Sequence, residues 1–140
     1  SIKVFGNELK KSSFDFKKLY VIMSKINTFR DLLVWQKSMS IVTEIYTLTK
    51  VFNEELFGLT SQIRRSAISI PSNIAEGYGR NSTGDYKRFL QISCGSLNEL
   101  QTQIEISFNL DFITKEKNIE TLEKIQEIDR MMLSLISKIK

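Results

Sequence analysis

The 140-residue chain contains no histidine at all. That absence removes the commonest general base, the Ser–His and Cys–His nucleophile pairs and most zinc sites. It also removes the di-iron centres of helical bundles, which need a Glu-x-x-His pair on each of two helices. There is one cysteine, Cys94, so no disulfide can form within the chain. A lone cysteine most often serves as a small apolar residue between helices. No apolar run is long enough to span a bilayer, and no signal-peptide pattern of basic start, apolar middle and small-residue cleavage site is present. Together these features point to a reducing cytoplasm and to no membrane. Proline occurs once and glycine six times, which leaves most of the chain free to be helical. Walker and dinucleotide glycine motifs are missing, as are helix-turn-helix, zinc-finger and RNP signatures. No cofactor and no metal is expected, and an enzyme is the least favoured class.

Apolar residues, 41% of the chain, supply the material for one core. Residues 1–22 stand apart as a leader or arm. They hold Lys3, Lys10, Lys11, Lys17 and Lys18 against Glu8 and Asp15, with no sustained period. Met23-Ser-Lys-Ile-Asn-Thr-Phe reads as an ordinary bacterial protein start, so the preceding segment is either foreign to the natural protein or a basic arm that orders on a partner. The pairs and runs Val4-Phe5, Phe14, Phe16 and Leu19–Ile22 are too apolar for a fully solvated tail.

Residues 23–140 carry a helical period. The first helix is predicted over 29–50, with Leu32, Trp35, Met39, Val42, Tyr46 and Thr49 on its inner face. The second is predicted over 53–78, with Leu56, Leu59, Ile63, Ala67, Ile70, Ile74 and Gly77 inward. Pro71 lies within it. A proline there removes a backbone hydrogen bond and costs about 3 kcal/mol, so a kink or break is expected near it, with the freed carbonyl of Ala67 met by Ser66 or Ser69. After the turn Gly79–Gly84, Ser82 and Asp85 resemble a capping box that opens a third helix running to about Leu110, with Tyr86, Leu90, Ser93, Leu97, Leu100, Ile104 and Phe108 inward. Thr114 caps a fourth, with Leu122, Ile125, Ile128, Met132, Leu135 and Ile139 inward. Short connections between long helices make neighbours antiparallel, so the expected fold is an all-α, up-down-up-down four-helix bundle.

Residues 23–140 are almost neutral, with fifteen Lys/Arg against fourteen Asp/Glu. The positive charge gathers in one stretch: Arg64, Arg65, Arg80, Lys87 and Arg88 outnumber Glu76 and Asp85 there. Arginine's planar fork suits phosphate, so these five are the candidate nucleic-acid contacts. A solvated helix surface with local ion pairs is the competing reading. A polar, small-residue stripe, Ser69, Asn73 and Glu76, faces Gly95 and Glu99 of the third helix. Such a stripe suits a subunit or intrabundle contact. Glu76 and Glu99 read better as arginine partners than as paired catalytic carboxylates. Most aromatics, Phe57 among them, are expected on core faces; Tyr78, between two glycines, either stacks on a base or closes the bundle end.

Three strings carry a family resemblance: Gly58-Leu-Thr-Ser-Gln-Ile-Arg-Arg, Ser69-Ile-Pro-Ser-Asn-Ile-Ala-Glu-Gly and Gly95-Ser-Leu-Asn-Glu-Leu. With Phe29-Arg-Asp-Leu-Leu-Val-Trp-Gln upstream, they closely resemble the bacterial four helix bundle proteins. These are also called 23S rRNA intervening-sequence proteins, because many are encoded inside insertions in the large ribosomal RNA gene. The accessory protein of diversity-generating retroelements looks related. One departure is that Asn53 stands after Phe52, where the family usually has proline. The resemblance implies a homopentamer and an association with ribosomal RNA or other nucleic acid. A protein-binding scaffold without nucleic-acid affinity is the alternative.

Overall fold

The computed structural model describes residues 26–140; the expectation that residues 1–22 stand apart falls outside them. Four helices follow one another: α1 (Leu33–Thr49), α2 (Phe57–Tyr78), α3 (Thr83–Asn109) and α4 (Lys115–Lys138). Each packs on the next, and α1 also packs on α4. The chain therefore goes up, down, up and down around one core, as its short connections require. Short single turns of 3₁₀ helix, Phe29–Asp31 and Glu54–Leu56, precede α1 and α2. They account for the late start of both helices relative to the predicted bounds. Thr28 and Asp31 close the first turn with a reciprocal capping box, and Leu32 is extended at φ −74°, ψ 123°, so α1 cannot begin before Leu33.

Thr114 caps α4 as expected, its hydroxyl accepting from the Lys117 N–H at 3.1 Å. Ser82 likewise accepts from the Asp85 N–H at 3.1 Å. Its capping box is half complete: Asp85 turns to Arg88 instead. Between α3 and α4, Asp111 takes the left-handed conformation (φ 64°). The Phe112 and Asp111 N–H groups then bond back to Ser107 and Phe108 carbonyls, the 6→1 and 5→2 pattern that closes helix ends.

The inner faces of α2, α3 and α4 follow the predicted stripes closely. Ile63, Ala67, Ile70, Ile74, Leu90, Leu97, Leu100, Ile104, Ile125 and Met132 are fully enclosed. The face of α1 follows only in part: Leu32 and Thr49 are buried and Trp35 and Val42 half-buried against the core, as expected. Its buried positions are Val34, Ser38, Ile41, Ile45 and Thr49, while Met39 and Tyr46 are exposed. Two apolar stripes run along this helix, and the one rotated toward Ile41 and Ile45 is the one enclosed. Phe57, expected inside, is 77% exposed at the start of α2.

Of the kink or break expected at Pro71, the break is absent: α2 runs continuously through it. The proline's fixed φ fits a helix, and neighbouring side chains bind the carbonyls around it. Ser72 donates to the Ile68 carbonyl at 2.8 Å, Asn73 to that of Ser69 at 2.8 Å, and Ser93 of α3 to that of Ile70 at 2.9 Å. Ser66 and Ser69 engage α3 side chains rather than the Ala67 carbonyl. Tertiary packing overrides the local helix penalty here.

Candidate nucleic-acid interface

At the end of the bundle where α2 turns into α3, Gly77 sets the geometry. A Cβ there would lie 2.7 Å from Phe89 Cβ and 3.1 Å from the Tyr86 carbonyl oxygen. Only glycine lets the two helices come this close. The close approach brings Phe89 of α3 beneath the exit of α2. Arg80 lays its guanidinium over the Phe89 ring, 4.8 Å from the centroid, and Arg88 does the same at 4.9 Å. Two distances of that size to one ring keep the two guanidinium groups within about 10 Å of each other. Arg80 also bonds to Glu76 at 2.6 Å, while Arg88 sits only loosely by Asp85 at 3.6 Å. Both forks face solvent, with side chains 44% and 61% exposed. Lys87, half-buried beside them, makes no ion pair with any described residue.

Tyr78 is not a free stacking surface. Its half-buried ring meets Tyr86 edge-on, centroids 6.1 Å apart at 85°. Burial, and secondarily Tyr78 itself, push the Tyr86 phenol up to about 12. Of the two readings open to Tyr78, its position matches closure of the bundle end.

Arg64 and Arg65 lie elsewhere. Fourteen helical steps separate Arg64 from Tyr78 at the end of α2, about 21 Å at 1.5 Å per residue, and Arg80 lies two residues beyond. Arg64 Nε donates to Thr49 Oγ1 at 2.9 Å, and its guanidinium covers the Tyr46 ring at 4.4 Å. It fastens the end of α1 to α2. Arg65 is exposed and unpaired among the described residues. The structure thus brings Arg80 and Arg88 together over Phe89, with Lys87 next to Arg88 in the chain, and leaves Arg64 and Arg65 apart.

The polar stripe is largely used within the chain. Ser69 Oγ accepts from Asn73 at 2.9 Å and shares a hydrogen bond with Ser96 Oγ at 2.8 Å. Ser66 donates to Glu99 at 3.3 Å, and Glu76 holds Arg80. Gly95 differs: it faces outward, and a Cβ added to it would meet nothing within 4 Å.

The sequence reading missed Phe89 as the platform. It also missed Arg30, stacked 4.6 Å over Phe29 at the same end of the bundle. In both cases an arginine adjoins a phenylalanine in sequence, a signal available without coordinates. Lys138 and Lys140 close that end too. Six cations there face Asp31, Glu76 and Asp85, leaving an excess of three positive charges.

Cys94 lies half-buried on the α3 face toward α4. Burial, with Asp129 a lesser cause, pushes its thiol up to about 11. Two units above an ordinary thiol leave about a hundredfold less thiolate at neutral pH. Alkylation at pH 8 is accordingly expected to run on the order of 100-fold slower in the folded protein than in denaturant; equal rates would refute the burial argument.

These elements define an all-helical four-helix bundle with a basic, aromatic-backed end. Residues 30–134 match the model of the 23S rRNA-intervening sequence protein family, and the chain belongs to that family. It is similar to a solved protein of unknown function from the S23 ribosomal protein family of Bacteroides thetaiotaomicron VPI-5482. The two are 29% identical with a TM-score of 0.72, over 76% of this chain and all of that one. A search of curated proteins returned no match. No helix among the described residues is long and apolar enough to cross a membrane.

Proposed function

We propose that this chain is a non-catalytic homo-oligomeric protein that binds RNA or DNA phosphates through the end of the bundle carrying Arg80, Lys87 and Arg88. The observation that carries this reading is the pair of guanidinium groups stacked on Phe89. Stacking holds each fork in place; Arg80 spends one donor on Glu76, while Arg88 makes no hydrogen bond to a described residue, and such preorganisation is what bidentate phosphate contact rewards. The membership of a family named for an rRNA intervening sequence supports ribosomal RNA as the first target to test, in the reducing cytoplasm that the sequence suggests. Glu76 and Asp85 offset part of the charge, so one chain offers only a weak site. Several copies, five by the family resemblance, would repeat it, and phosphate neutralisation is cumulative. Gly95 and the exposed Ile92 beside it on α3 offer a face for that contact. The same partial neutralisation favours the second reading, a scaffold that recruits another protein.

Light scattering followed by an anisotropy titration separates the two. An oligomer is expected, binding ribosomal RNA fragments and mixed-sequence DNA with similar strength. Affinity should fall steeply between about 50 and 200 mM salt. An intact oligomer with no affinity for either nucleic acid at the lower salt leaves the scaffold, and a 16.2 kDa monomer removes the oligomer itself.

A further inference from the structure

The apolar stripe of α1 that the core leaves unused has a counterpart on α2. Trp35, Met39, Val42 and Tyr46 recur at steps of four, three and four residues, which keeps them on one side of α1. Phe57, Ser61, Arg64 and Ile68 repeat the same steps on α2. The two rows adjoin, because the Arg64 guanidinium lies 4.4 Å from the centre of the Tyr46 ring. Trp35 and Val42 are half-buried against the core. Met39 and Ile68, each 42% exposed, stand open to solvent, as do Tyr46 and Phe57. Four of the ten exposed large apolar side chains among the described residues therefore fall on this one flank, a gathering of the kind that marks a protein contact.

The charge along the two rows has one sign. Lys50 stands four residues beyond Tyr46, and Arg65 is next to Arg64. Lys50, Arg64 and Arg65 make no ion pair with any described residue. The acids of both helices are engaged elsewhere: Glu44 holds Lys124 of α4, and Glu76 holds Arg80. Glu54 and Glu55 sit on the turn before α2, at the Phe57 end of the flank. We propose that the α1–α2 flank seats an acidic amphipathic helix of another protein. Its apolar residues, at heptad spacing, lie between the two rows, and its carboxylates face Lys50, Arg64 and Arg65. Adjoining rows with heptad steps form the groove that a third helix fills when helices pack in bundles. The same flank of a second copy would set these cations against their own kind, which argues against two-fold self-pairing here. The site is separate from the arginine pair on Phe89 and does not depend on the nucleic-acid reading.

Anisotropy titration of the full chain with a labelled helical peptide tests this. The probe is about three heptads long, with leucine at a and d and glutamate at e and g. A second peptide carries lysine in place of glutamate. The glutamate peptide is expected to bind at least about ten-fold more tightly than the lysine one. Met39→Ser with Ile68→Ser should weaken it by about ten-fold while helical content holds, since both side chains are exposed. Leu133→Ser, at an equally exposed leucine on α4, should leave binding unchanged. Arg65→Gln should weaken it by about three-fold and flatten its salt dependence. R80E/R88E should bind the peptide as the parent does, which separates this site from the nucleic-acid one. No binding, equal binding of the two peptides, or unchanged affinity in M39S/I68S would overturn the proposal. Displacement of the peptide by ribosomal RNA fragments would also overturn it, by assigning the flank to nucleic acid. So would light scattering in which M39S/I68S splits a parent oligomer, which would assign the flank to a second copy.

Discussion

Replacing Gly77 by alanine is expected to destabilise the bundle by about 2 kcal/mol, lowering its melting temperature by roughly 6–10 °C. The sign is the informative part. In an ordinary helix interior the same change stabilises by up to about 1 kcal/mol, because glycine loses more backbone entropy on folding. At Gly77 the new methyl would stand 2.7 Å from Phe89 Cβ and 3.1 Å from the Tyr86 carbonyl oxygen. Neither atom is the loose end of a side chain, so α3 itself must retreat. That retreat also shifts Phe89, the ring on which Arg80 and Arg88 rest. Gly95→Ala provides the matched control. It lies in the same bundle with nothing within 4 Å of the added Cβ, and it should gain about 0.5–1 kcal/mol. Thermal melts of the two variants should move in opposite directions; a Gly77→Ala protein that melts above the parent would show that the helices are not held this closely. If the outer face of α3 joins subunits, Gly95→Ala will still raise the stability of the single chain while shifting the oligomer toward smaller species in light scattering.

The sequence made three of the four helices legible to the level of single core residues, because α2, α3 and α4 each carry one dominant apolar stripe. Ile63, Ile70 and Ile74, or Leu90, Leu97 and Leu100, have no rival set on their helices. On α1 the stripe through Trp35, Met39 and Tyr46 competes with the one through Val34, Ile41 and Ile45, and periodicity cannot rank two sets of the same period. The choice depends on information from other helices: Arg64 of α2 covers the Tyr46 ring and gives that aromatic a surface role. Pro71 was misleading for a related reason. Its penalty is local, whereas the hydroxyl of Ser93 that helps bind the carbonyls around it lies twenty-two positions downstream. Clustering of charge was legible as composition, but composition does not measure length along a helix. Arg64 and Arg80 belong to one charged stretch in sequence and to two separate places in space.

That separation leads to the strongest functional expectation. Replacing Arg80 and Arg88 together by glutamate should weaken binding to RNA and to DNA alike by on the order of 100-fold at low salt, and should flatten the salt dependence by at least one unit of slope per engaged chain. Both forks lose their place over Phe89, and two carboxylates then join Glu76 and Asp85 at the surface that must meet phosphate. Helical content should be unchanged, because the replaced groups are exposed and such changes cost under about 0.5 kcal/mol. Arg64→Gln should do the reverse. Its guanidinium bonds Thr49 and covers Tyr46, joining α1 to α2 rather than facing a ligand. Losing a charged hydrogen bond and a cation–π contact should cost about 1–2 kcal/mol of stability, with affinity and salt slope preserved. Parallel melts and anisotropy titrations of the two proteins measure both quantities. Binding that survives R80E/R88E but fails in R64Q would move the contact surface from the end of the bundle to the flank between α1 and α2.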